Sequence, residues 1–194
     1  MGYVQSIEAH YTAFWKAKCN PKQWKKGPME KLYPDFRALE FEPTVNRKMW
    51  TYATCGMSTE MDDAPIELHI FSKKADENLV EILTAVAFYH KSGEKLDLHH
   101  TVNFGQPWQN SSKCEYGFIS LPYLDGPGLE NEDWGDKTIK FYWLIPITKQ
   151  ELKFKMDRGV YELERKFEVA NFDYCLEAHS RFFTMSRRKI VYEF

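Results

Sequence analysis

The stretch "TIKFYWLIPITKQE", Thr138–Glu151, decides the fold. From Phe141 to Ile147 it carries no charged residue, whereas a strand with one solvated face alternates apolar and polar side chains. Burial on both faces places this strand at the centre of a sheet. Directly after it, Thr148 and Glu151 have the spacing of a capping box, in which each side chain satisfies an orphan backbone donor of a first helical turn. A helix is therefore predicted from Lys149. Gly159 breaks it, and "VYELERKFEVANF" resumes a helical stripe through Leu163, Phe167 and Ala170. From Phe172 onward the pattern is ambiguous.

Upstream, "FRALEFEP" and "RKMWTYAT" alternate as two strands joined by a short turn, and "IELHIFS" (Ile66–Ser72) is a third. In that third strand Ile66, Leu68 and Ile70 face one side, and Glu67, His69 and Phe71 the other. Ile7, Tyr11, Phe14 and Trp15 recur at helical spacing, so residues Ile7 to Cys19 read as an amphipathic helix closed by Asn20-Pro21. A second helix, "ENLVEILTAVAFYHKSG", starts with Asp76 as N-cap and stops at Ser92-Gly93. "LDLHHTVNF" (Leu96–Phe104) and "YGFISLP" (Tyr116–Pro122) are strand-like. Residues 1–194 thus read as a single α+β domain with a central mixed or antiparallel sheet packed by helices.

The chain is 43% hydrophobic and 28% charged, the profile of a globular protein, and its net charge of −2 argues against general nucleic-acid binding. Its 16% aromatic content exceeds what a core of this size needs and leaves rings for recognition. No stretch approaches the roughly 20 apolar residues of a membrane helix. Cys19, Cys55, Cys114 and Cys175 form no CxxC, and scattered thiols without a secretory signal suggest the cytoplasm. Neither G-x-G-x-x-G nor G-x-x-x-x-G-K-[ST] occurs, so no cofactor is expected.

Catalytic combinations are weak. His100 as base to Cys114, or a metal site from His69, one of the His99-His100 pair, Asp97 and Cys114, uses the right donor types without any ligand pair at standard spacing. A carboxylate pair, Asp125 with Glu130, falls in loop sequence that predicts solvation. "SLPYLDGPG" (Ser120–Gly128) is turn chemistry: Asp bonds local donors, Gly accepts positive φ and Pro fixes φ. Behind it runs "LENEDWGD", where Glu130, Glu132, Asp133 and Asp136 surround Trp134. Acids that steer an encounter and an aromatic that anchors it suit a surface for a basic protein, with Asp62 and Asp63 as a second patch.

"HTVNFGQPW", "SLPYLDGPGLE" and "FYWLIPITKQE", in this order, resemble the bacterial branch of the suppressor of fused (SUFU) domain family, and "ATCGMS" and "ELHIFS" fit its earlier part. The resemblance runs from about Arg47 to about Phe172. It implies an α/β sandwich-like domain that binds proteins and has no established enzymatic activity. Animal members restrain Gli transcription factors, gripping a peptide between two domains, and this chain has room for only one. Bacterial members are similar to immunity proteins that neutralise a toxin domain. On this reading Gly105, Pro107, Gly126 and Pro127 serve turns, and Trp108, Tyr123 and Trp143 serve packing. The expectation is a non-catalytic antitoxin acting by stoichiometric occlusion; the alternatives are an enzyme using His100, Cys114 and Asp97, or a regulatory scaffold that binds a transcription factor or other protein.

Overall fold

The computed structural model describes residues 2–26, 32–110 and 112–169. Along them run α1 (Tyr3–Trp15), β1 (Cys19–Lys22), β2 (Arg37–Phe41), β3 (Trp50–Cys55), β4 (Ile66–Ser72), α2 (Asn78–Ser92), β5 (Thr101–Asn103), β6 (Cys114–Ser120), β7 (Asn131–Trp134), β8 (Lys137–Thr148), α3 (Lys149–Arg158) and α4 (Val160–Val169). The strands form one mixed sheet in the order β1-β2-β3-β4-β8-β6-β5, with β7 added to the first half of β8. Among the described strands only β4 and β8 pair in parallel; the other pairings are antiparallel.

The uninterrupted apolar run of β8 is explained by what covers it. On one face Tyr142 and Leu144 pack with Ile66, Leu68 and Ile70 of β4 beneath Leu79, Leu83 and Val86 of α2. On the other face Ile139 and Phe141 meet Ile7, Tyr11 and Trp15 of α1. Farther along that face Trp143, Ile145 and Ile147 meet Leu163 and Phe167 of α4. Two helical elements therefore share one face of the sheet, α1 over its first half and α4 over its second.

The capping box closes as predicted: Glu151 N–H donates to Thr148 Oγ1 at 3.2 Å and Thr148 N–H to Glu151 Oε2 at 2.6 Å. Gly159, at φ 91°, separates α3 from α4. The N-cap of α2 is Glu77, one residue later than expected, and Asp76 Oδ1 accepts the N–H of Asn78 just ahead of the helix. Three further expectations change. The first helix begins at Tyr3 and ends at Trp15, because Lys16 turns left-handed at φ 50° before Cys19 is reached. Only Thr101–Asn103 of "LDLHHTVNF" is strand, since His99 lies at φ 67°. The acidic segment, read as a loop, is strand β7 of a hairpin that turns at Gly135 (φ 63°). Ala170, Cys175 and the stretch after Phe172 lie outside the described residues.

Candidate functional site

The turn at Ser120–Gly128 is sharp, as its composition demands: Asp125 N–H and Gly126 N–H both donate to Pro122 O, at 2.8 and 2.7 Å, and Gly126 takes φ 78°. Its acid is not solvated. The Asp125 side chain is 3% exposed and receives both terminal nitrogens of Arg47, whose own side chain is 15% exposed. Trp15 Nε1 donates to the same carboxylate at 3.1 Å. Arg47 lies between the rings of Trp15 and Phe71, 4.7 Å from each centroid, and donates from Nε to Thr51 Oγ1 at 2.9 Å. His69 Nε2 stands 3.6 Å from Asp125 Oδ2; burial pushes its pKa down to about 3, so the ring is neutral. This cluster fills the gap between α1 and the α4 half of the face, and it locks the loop before β3 to the loop after β6. Sequence reasoning missed it because Arg47 and Asp125 are 78 residues apart and each looks like loop polarity.

The loop outside this lock is apolar and exposed. Tyr123 is 59% and Leu124 38% exposed, so Tyr123 does not serve packing as the resemblance implied, whereas Trp108 and Trp143 are buried. A second buried carboxylate, Glu67, sits behind the β3–β4 turn. Burial pushes its pKa up to about 8 against the bonds it accepts from Thr54 Oγ1 and from the N–H groups of Gly56 and Met57. These bonds fix the entrance to the loop that carries Asp62 and Asp63.

The acidic residues come together. Lys137 Nζ, just past the β7–β8 turn, donates to Glu60 O at 2.8 Å and to Asp62 O at 2.9 Å, which ties the hairpin to the β3–β4 loop. Glu60, Asp63, Asp133 and Asp136 are exposed along this joined lip, and Asp62 and Glu130 are half-buried. Asp62 pairs with Lys95 at 2.8 Å. Burial raises the Asp62 pKa, but the Lys95 ammonium and the Thr59 N–H outweigh it and hold the group below its ordinary value. Glu132 is engaged from α1, 3.0 Å from His10 Nδ1 and accepting from Ser6 Oγ at 3.4 Å. Trp134 is turned inward and half-buried, edge-on to Tyr3 at 5.7 Å, so α1 takes the ring that the sequence offered as an anchor.

The catalytic combination is not assembled. His100 N–H donates to Asp97 O, and both residues are exposed at the start of β5. Cys114 is fully buried at the first residue of β6, while Ile119 near the far end of that strand accepts and donates across to His99 and His100. Cys114 thus lies five residues, about 16 Å along β6, from Ile119, the residue that bonds to His100. His69 is at the Asp125 cluster. Among the described residues no group of three or more His, Cys, Asp or Glu side chains is placed to hold a metal, and Cys19, Cys55 and Cys114 form no disulfide. No described helix is long and apolar enough to cross a membrane.

A family model for suppressor of fused protein (SUFU) matches residues 33–188. A crystal structure of a putative SUFU homologue from Neisseria gonorrhoeae is 31% identical, with a TM-score of 0.80 over 90% of this chain and 93% of that one. The Sufu-Fu complex structure matches at TM-score 0.64 and 15% identity over 86% of this chain and 84% of that one. Drosophila Suppressor of Fused matches at TM-score 0.67 and 14% identity over 98% of this chain and 52% of its own, so the chain spans about half of that protein. No curated protein matches the chain significantly.

Proposed function

We propose, since this chain belongs to the suppressor of fused (SUFU) family, that it is a non-catalytic protein-binding module. We propose further that it acts in the cytoplasm as an immunity protein, neutralising a toxin domain by stoichiometric occlusion. The observation that carries this reading is the lip made when Lys137 joins the hairpin to the β3–β4 loop. It brings the exposed Glu60, Asp63, Asp133 and Asp136 and the half-buried Asp62 and Glu130 to one end of the sheet, while Glu132 and Trp134 behind them are turned toward α1. A surface of this sign steers a basic partner and covers a cleft that itself binds anions. Its supports are rigid: a hairpin paired to the central strand, and a turn held by the buried Glu67. The known association of a relative in the Sufu-Fu complex supports a protein as the partner class.

Rescue tests the reading. Cells expressing the toxin domain encoded beside this chain survive when the chain is co-expressed, and the variant Asp63→Lys/Asp133→Lys/Asp136→Lys fails to protect at equal expression. A genomic neighbour with no toxin domain refutes immunity; full protection by the triple variant removes the lip. Purified triple variant with an unchanged melting temperature shows that lost protection is not lost folding.

A further inference from the structure

Among the described residues no strand pairs with the outer edge of β7. Phe141 N–H donates to Glu130 O, and the register pairs Glu132 with Ile139 and Trp134 with Lys137. In an antiparallel ladder alternate residues bond across, so the residues between them, Asn131 and Asp133, turn their N–H and C=O groups away from β8. No described residue bonds those backbone groups, and both side chains are exposed. The other ends of the sheet are less receptive: β1 contains Pro21, which has no N–H, and β5 is three residues long.

The side chains decide what this edge accepts. Asp133 and Asn131 share the solvated face of the hairpin with Thr138 and Lys140, all exposed. Glu132 and Trp134 lie on the face turned to α1. A second copy of this chain would set Asp133 and Glu132 beside their own equivalents, and charge on an edge strand is how sheets repel such pairing. A strand with basic residues on one face meets Asp133 with them, and its other face lies beside the half-buried Trp134 and Glu132.

We propose that β7 accepts an extended Lys/Arg-bearing segment of the partner as an added strand, bonded through the backbone of Asn131 and Asp133. This rests on the protein-binding reading and gives that surface its mode of attachment.

The probe is the peptide acetyl-Thr-Lys-Val-Arg-Thr-Lys-Val-Arg-amide, followed by amide hydrogen exchange and by titration. On saturation the amides of Asn131 and Asp133 exchange about tenfold more slowly. Asp133→Pro removes an outward donor without removing a bond to β8, and it weakens the peptide about tenfold; Asp133→Asn keeps the donor and weakens it by about threefold. An unchanged melting temperature and Trp134 emission certify the fold, and Asn131→Pro replaces Asp133→Pro if that variant does not fold. Binding that leaves both amides exchanging freely, equal binding by the proline variant, or no binding of the peptide overturns strand addition. Those results leave the lip's role intact as long as charge reversal abolishes protection; failure of the unsubstituted chain to protect, alongside a bound, exchange-protected peptide, removes the immunity reading and keeps the edge.

Discussion

Asp125 and Arg47 show how a polar pair in a dry place sets a loop. Burying either charge alone is costly, and the pair persists because the carboxylate accepts from Arg47 and Trp15 while the guanidinium is stacked between Trp15 and Phe71. Asp125→Ala strands Arg47 in a nearly closed site and costs about 3–5 kcal/mol in urea unfolding. The double variant Arg47→Met/Asp125→Leu recovers most of that loss, because no uncompensated charge remains. If the double variant is as unstable as the single one, the pair acts through the bond to Trp15 and not through its charges. His90 behaves differently. Leu96 N–H donates to its Nδ1 at 2.9 Å, so Nδ1 carries no proton in the fold and Nε2 faces Ser58 Oγ at 3.3 Å. Burial pushes its pKa from 6.5 down to about 4, and that of His69 to about 3. The unfolded chain then binds protons that the folded chain refuses, so stability present above pH 6.5 is lost as pH falls from there toward 4. Urea midpoints measured across that window should fall, with a shallower slope in His90→Asn, whose side-chain oxygen still accepts from Leu96. None of these residues announced its environment in the sequence: a loop Arg, a turn Asp and two isolated His acquire meaning only from distant partners.

At the scale of elements, legibility follows how local the determining physics is. β8 and the head of α3 were readable because an apolar run and a capping box are contained within a few residues. β1 and β7 were not, since four residues with Pro21 or with two acids have no strand preference of their own and become strands by pairing with β2 and β8. The same holds for the middle of β6. Gly117 gives no sign in the sequence of what it faces, yet a Cβ there would lie 2.5 Å from Leu144 and 2.7 Å from Phe104. Phe104 thus closes the sheet by lying on bare backbone. Gly117→Ala should cost about 1–3 kcal/mol by forcing the two side chains off their places. Phe104→Leu in the same background relieves part of it; equal destabilisation in both backgrounds would assign the cost to the strand itself. For the proposed binding surface, composition named the acids and not their junction, because the bonds that unite them are made by Lys137 to two backbone oxygens.

For the whole molecule, a net charge of −2 hides a local grouping of exposed acids, and association kinetics read such a grouping directly. Glu60, Asp63, Asp133 and Asp136 are solvated at one end of the sheet, so their attraction for a basic partner acts across water and is screened over about 8 Å at physiological salt. The buried Arg47–Asp125 and Glu67 sites, by contrast, are shielded from salt and hold the lip's supports unchanged. Raising ionic strength from about 0.05 to 0.5 M should therefore slow association with the proposed toxin partner by one to two orders of magnitude, leave dissociation nearly constant, and leave the melting temperature almost unmoved. Asp133→Lys/Asp136→Lys should flatten the salt dependence of the association rate. Stopped-flow rates that are independent of salt, or a salt effect confined to dissociation, would place the contact on the apolar loop around Tyr123 and Leu124 instead, where desolvation and not steering governs the encounter.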